Sequence, residues 1–325
     1  MAVFTQITTE QLTDWLTPLN LGRLVEFKGI ASGIENSNFF VTLDRDGQRT
    51  DYVLTIFEVL TAQQLPFYLE LMQHLASKDL PVPRPFASTD GALFRPLAGK
   101  PAALVSKLAG ADTTTPTPTH CASVGRVLAQ MHLAGRDFKS AQPNLRGLDW
   151  CLMMESQVAA FLPDHIADLL RDELMVQQDF AQTEIYQALP RGAGHCDLFV
   201  DNVLFENPDA PALIDFYFAG VDTWLFDLAV TANDWCIDRA TGAFLPEHLN
   251  QMLAAYHAVN PLSDNEQAAW PILLRAAALR FWISRLFDFY QTREAAMLTP
   301  KDPTHFERIL QNRRALCAQN ATPWL

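Results

Sequence analysis

Positive charge is scarce in this sequence: 24 Lys and Arg stand against 37 Asp and Glu, a formal charge of −13 over 325 residues. That balance repels polyphosphate backbones and the few cations nowhere cluster, so no nucleic-acid partner is expected. Long apolar runs are missing too. The greasiest stretch, 276–289, is cut by Arg280, Arg285 and Asp288, so no membrane span and no membrane partner are expected. Cysteine is sparse and unpaired. The five (Cys121, Cys151, Cys196, Cys236, Cys317) are odd in number and never form C-x-x-C, which excludes zinc spacing and a disulfide frame and fits reduced thiols in a cytoplasmic protein. The first ten residues hold no basic stretch followed by an apolar core, so no secretory signal is expected. Internal repeats and low-complexity tracts are absent as well. What is present is ample core material, 49% hydrophobic and 10% aromatic. A chain this long suggests about two domains and can bury about three quarters of its surface without metal or disulfide staples.

The first hundred residues read mostly as strand and the rest mostly as helix. Thr9 is placed to cap a helix that Gly22 would stop. Residues 24–31, 38–43 and 52–57 carry the β-branched and aromatic residues of strands, with Asp46-Gly47 as a turn. Leu65, Tyr68, Leu69, Met72 and Leu75 recur at helical spacing within 64–77. Pro81, Pro83 and Pro85 force extended chain, and short strands are expected near 93–94 and 102–106. The turn-rich piece 109–118 is the hinge candidate. Helices are expected over 121–133, 149–162 and 166–189, then two short strands, 203–205 and 212–216, about the turn Asn207-Pro208-Asp209. Four further helices follow at 224–238, 246–259, 265–290 and 304–320.

Chemistry concentrates in residues 194–227. Here His195-x-Asp197-x-x-x-x-Asn202 precedes a strand, a turn and a second strand ending in Ile214-Asp215-Phe216. Phosphoryl transfer to an alcohol needs one carboxylate to accept the hydroxyl proton. It also needs hard oxygen donors for a magnesium ion on the phosphates. Asp197 fits the first role, Asn202 and Asp215 the second, and the strand-turn-strand context is what the motif requires. Asp227 reads either as an anchor for this loop or as a plain helix-cap aspartate. His195 reads as an orienting or packing residue and Cys196 as inert.

The stretches HCDLFVDNVLF, LIDFYFAGVD and FDLA resemble the aminoglycoside-phosphotransferase-like kinases, a small-molecule branch of the protein-kinase fold. Within that branch, GIASGIENSNFFV, YVLTIFE, LPFYLELMQHLASKDLPVPRP, DLAVTANDWC and LRFWISRLFD resemble the homoserine kinases. The resemblance spans nearly the whole chain. It implies an α+β, bilobal protein-kinase-like fold, with a small antiparallel-sheet N-lobe over 1–107 and a larger helical C-lobe over 108–325. The lobes would meet near 106–112, with the nucleotide in the cleft. It further implies ATP and Mg2+ as cofactors and the hydroxyl of L-homoserine as acceptor, a step toward threonine. Oligomeric state is left open.

On the nucleotide side, Gly33, Asn36, Ser37 and Asn38 are candidates for a loop over phosphates, although an ordinary hairpin turn would look the same. Glu70 sits where kinases place a glutamate that orients a phosphate-binding lysine. The lysine itself is missing: Thr55 stands in the third strand where V-A-I-K would place it, with Lys28 and Lys107 as possible substitutes. On the acceptor side, a zwitterion with a hydroxyl calls for an anion and a cation. Asp234 is the candidate ammonium partner and Arg280 the candidate carboxylate clamp, while Arg285 reads better as an ion pair with Asp288. The rivals are kinases of another small alcohol (choline, ethanolamine, methylthioribose or an aminoglycoside) and a nucleotide-binding pseudokinase.

Overall fold

The first helix, α1 (Thr9–Leu16), starts one residue earlier than its sequence suggests. Thr8 is the cap, its hydroxyl accepting from Gln11 N while the Gln11 side chain accepts from Thr8 N. It runs into a 3-10 turn, Thr17–Leu19, well before Gly22. The computed structural model describes residues 4–30, 36–291 and 301–324. By their contacts the chain divides into two units, Met1–Ala109 and Gly110–Leu325.

The first unit is built on an antiparallel sheet of β1 (Arg23–Gly29), β2 (Asn36–Arg45), β3 (Gln48–Phe57), β4 (Arg95–Leu97) and β5 (Lys100–Ser106), in the order β1-β2-β3-β5-β4. Helix α2 (Leu65–Ala76) lies between β3 and β4 in the chain. Asp46 and Gly47 join β2 to β3 with φ of 56° and 85°, both left-handed, as a two-residue hairpin of this hand requires. Ala98-Gly99 does the same between β4 and β5. An alanine at positive φ sends no turn signal, which is why the strand expected at 93–94 appears instead at Arg95–Leu97. Alternation then sorts the faces. Phe39, Val41, Leu54, Ile56 and Leu104 form the core with Leu12, Trp15 and Leu16 of α1. Asn38, Phe40, Val53 and Thr55 point to the other face.

The second unit opens with α3 (Pro118–Ala134), capped by Thr117 and His120, followed by α4 (Leu148–Val158), α5 (Asp164–Ala181) and α6 (Glu184–Gln187). The single helix expected over 166–189 is thus two, because the Thr183 hydroxyl accepts from Tyr186 N and restarts the helix. Next come β6 (Arg191–Gly194), β7 (Val203–Phe205), β8 (Pro211–Leu213) and β9 (Gly220–Thr223). They form two small antiparallel pairs, β6 with β9 and β7 with β8. Helices α7 (Trp224–Trp235), α8 (Pro246–Val259), α9 (Asp264–Tyr290) and α10 (Thr304–Ala318) complete it. Every residue of α7 is buried, and so is most of the middle of α9. A buried ion pair, Arg275 Nη2 to Glu173 Oε2 at 2.6 Å, ties α9 to α5. Among the described residues no helix is long and apolar enough to cross a membrane.

Candidate active site

The two hairpin pairs put the motif where its chemistry needs it. β6 leads into Cys196 and β7 leaves from Asn202, so residues 195–202 form a loop with both ends fixed in short sheets. Within it the Asn202 side-chain Nδ2 donates to Asp197 O at 2.7 Å and to Asp197 Oδ2 at 3.2 Å. That leaves the carbonyl Oδ1 of Asn202 as a hard donor turned away from the carboxylate. Ile214 N donates to Asn202 O at 3.0 Å, which brings the start of the Asp215 turn against the loop. Asp215 itself takes a left-handed φ of 64°, and Cys196 one of 60°. Such non-glycine residues store strain of about 1–3 kcal/mol each, held here by the surrounding bonds.

Those bonds are buried. Asp227, in the first turn of α7, accepts His195 N at 2.6 Å and Cys196 N at 2.8 Å. It also faces His132 Nε2 at 3.0 Å. Of its two sequence readings, the loop anchor is the one seen; the helix cap is Thr223. Gly194 makes room for this grip, since a Cβ there would lie 2.8 Å from Asp227 Oδ2. Behind Asp227, His132 Nδ1 meets Tyr256 Oη at 2.8 Å, and Asn260 Nδ2 donates to that same oxygen at 3.1 Å. Asn260 Nδ2 can only donate, so the tyrosine proton goes to Nδ1 and His132 donates from Nε2 to Asp227. Asp234 holds the other half of the loop: its Oδ2 accepts Val200 N at 2.8 Å, while Trp235 Nε1 donates to Leu198 O at 3.0 Å. His195, wholly buried, lies 2.9 Å by Nε2 from Ile214 O and so braces the Asp215 segment.

Electrostatics follow from this burial. Desolvation pushes the half-buried Asp197 up to about 8, with Arg280 pulling back and Asp215 and Asp201 pushing further. Burial alone would raise Asp227 too, but the His132 contact and the loop amides hold it below the ordinary carboxylate range. Burial keeps His195 neutral and pushes the Cys196 thiol well up, so neither serves as base or nucleophile.

The acceptor-side residues sit differently from their sequence roles. Asp234 is spent on Val200 N and faces Arg239 at 3.7 Å, so its carboxylate is already engaged. Arg280 is only 4% exposed, its guanidinium 3.9 Å from the Phe281 ring centre and 5.2 Å from that of Phe218, with no partner for Nη2 among the described residues. Arg285 donates to Asp302 O at 3.3 Å and stacks 4.4 Å over Phe306.

On the sheet unit, Gly33 lies outside the described residues. Asn36 Oδ1 accepts from Glu58 N at 3.4 Å. The Ser37 hydroxyl, wholly buried, accepts Phe4 N and Thr5 N and donates to Glu58 at 2.5 Å, so it is closed to a phosphate. Thr55, nearly buried, donates to Asn38 Oδ1 at 2.8 Å. Lys107 does not stand in for the missing lysine. It pairs with Asp51 at 2.9 Å, four residues along β3 from Thr55, or about 13 Å. Lys100 pairs with Glu58 on the core face. Glu70 is exposed on α2.

The sequence model of the phosphotransferase enzyme family (APH) matches residues 26–263. Over 325 residues the chain is 53% identical to the homoserine kinase of Cupriavidus pinatubonensis, covering 99% of this chain and 98% of that protein. Solved structures of the same fold include the amicoumacin kinase hAmiN bound to AMP-PNP, with a TM-score of 0.68 at 15% identity over 98% of this chain and 95% of that one. Choline kinase from Cryptosporidium parvum follows at 0.66 and 14% identity, over 92% and 91%. The chain belongs to this family of phosphotransferases, with the protein-kinase-like α+β fold, and within it to the homoserine kinases. His132, Tyr256 and Asn260 escaped the sequence reading because no local spacing links them to the loop: His132 lies in α3, Tyr256 in α8 and Asn260 just past its end, among other polar residues of no special pattern.

Proposed function

We propose that the protein transfers the terminal phosphoryl group of ATP to the hydroxyl of L-homoserine, giving O-phosphohomoserine, in the cytoplasm. Asp197 accepts the hydroxyl proton, and Asn202 and Asp215 hold Mg2+. One observation carries this reading: the Asn202 amide is turned by its Nδ2 onto Asp197 within a loop that also binds the Asp215 turn. The donor set fits magnesium, which takes an oxygen or two from protein and the rest from phosphates and water. Among the described residues no cluster of three acids, histidines or cysteines could hold a metal unaided. Bound there, the ion would bridge phosphates and neutralise charge.

The protein's own contribution is positioning. Asp227 and Asp234 fix both halves of the loop, and Arg280 puts positive charge in the field of Asp197, opposing its desolvation. Asn36 and Asn38 remain nucleotide-side candidates on the sheet. A purely cationic acceptor would call for several acids and no arginine, whereas α9 sets Arg280 and Arg285 beside the single acid Asp288 in its second half. Purified protein given Mg-ATP with homoserine, choline, ethanolamine, methylthioribose and an aminoglycoside should release ADP fastest with homoserine, and EDTA should abolish it. ATP binding without transfer to any acceptor would overturn the reading in favour of a pseudokinase.

A further inference from the structure

In a chain so acidic, one cationic patch stands out beside the catalytic loop. Arg239 follows α7, Arg285 lies near the end of α9, and Arg308 lies in α10. Arg239 Nη2 is 3.7 Å from Asp234 Oδ1, the side chain whose other oxygen holds Val200. Among the described residues Arg285 donates only to the Asp302 carbonyl, and the buried Nε of Arg308 has no hydrogen-bond partner. All three act on one neighbour, His305, which burial and then Arg285, Arg308 and Arg239 keep neutral by lowering its pKa to about 4. Acids are interleaved with these cations, since Asp234, Asp302 and Asp201 all bear on Arg285. A zwitterion needs such a surface.

Arg280 lies at the other end of an aromatic stack. Its guanidinium is 3.9 Å from Phe281, Phe281 is 5.2 Å from Phe306, and Arg285 lies 4.4 Å over Phe306. Phe199 of the catalytic loop packs 4.4 Å from Phe281 and 5.8 Å from Phe306. Five residues apart on α9, the two arginines project about 140° apart around the helix and lie over different rings, so they do not form one fork. Arg280 also lines a cavity of only about 40 Å³, with Arg146, Cys151 and Asp222. That is room for a water or so, not for an amino acid. Arg285 and Arg308 are half-buried and reachable.

We propose that Arg285 and Arg308, with Arg239 beside them, hold the carboxylate of the amino-acid acceptor, and that Arg280 is a positioning residue for the Asp197 end of the loop. The assignment rests on the homoserine reading above. A guanidinium fork matches a carboxylate in two bonds, which a hydroxyl or ammonium cannot exploit.

The test compares L-homoserine with 3-aminopropan-1-ol, the same molecule without its carboxylate, by ADP release. Arg285→Met and Arg308→Gln should each raise KM for homoserine by about 10- to 100-fold, the loss of a charge-assisted bond, with kcat little changed. Their kcat/KM for the amino alcohol should match that of the unaltered protein, which also shows that the variants are folded. Arg285→Lys should recover part of the loss. Equal losses on both acceptors would overturn the proposal, as would the carboxylate-specific pattern appearing in Arg280→Met while Arg285→Met and Arg308→Gln stay silent. Should one variant fail to fold, the other decides. Failure of the unaltered protein to turn over homoserine would instead sink the underlying reading.

Discussion

In the sheet unit, Lys107 meets Asp51 side chain to side chain and near water, both more than a third exposed. In the catalytic loop, carboxylates meet backbone amides in full burial: Asp227 takes two and Asp234 one. The first arrangement is screened and replaceable, worth about 0–1 kcal/mol per exposed pair. The second leaves a desolvated charge without partners if it is broken, and costs several times more. Substitutions should therefore be felt in the loop and forgiven on the sheet.

The hardest push on that contrast is Asp197→Asn. It should lower kcat by about 10²–10⁴, the worth of general-base help, while ATP affinity survives in a nucleotide-binding titration. Comparable loss of both would show that the residue holds the nucleotide instead. Next, Asp227→Asn should cost about 3–5 kcal/mol in denaturant unfolding, as expected when one partner leaves a buried charged network. Gly194→Ala should mimic it in milder form, lowering kcat and Tm together by crowding the same oxygen.

A subtler probe is pH. His305 has its pKa in the folded protein lowered to about 4 by burial and by Arg285, Arg308 and Arg239, below the ordinary value near 6.5. Between those two values the unfolded chain binds a proton that the folded one refuses, so stability falls as pH drops from about 6.5 toward 4. His305→Gln should flatten this slope, by about 2–4 °C in Tm at pH 5 for each kcal/mol relieved. An unchanged slope would remove His305 from the account. Smallest of all, Lys107→Met should leave stability within about 0.5 kcal/mol and KM for ATP unchanged. A large rise in KM would reinstate Lys107 on the phosphates and erase the contrast.

Much of this was legible beforehand, for particular reasons. The Asp46-Gly47 hairpin, the helices with strong periodicity, and Asp197, Asn202 and Asp215 with their strand-turn-strand setting all announce themselves through local spacing. The pairing of β6 with β9 did not. Each is four residues long, three of the eight are glycines, and their partner lies across the whole catalytic segment. Asp234 looked free for a ligand because sequence cannot show that Val200, far along the chain, needs its oxygen. Arg280 and Arg285 share a helix, and spacing favoured Arg280 as the clamp because Asp288 follows Arg285 by three residues. The ring stack between them and the small cavity beside Arg280 point the other way.

The chain of bonds from Asn260 through Tyr256 and His132 to Asp227 has a temporal meaning as well. A nascent polypeptide emerging from the ribosome exposes the motif at Asp197 long before the carboxamide that terminates its scaffold. Until α8 has been made and docked, the loop lacks its rear brace, so folding competence and the ability to act on a nucleotide should arrive in that order, late in synthesis.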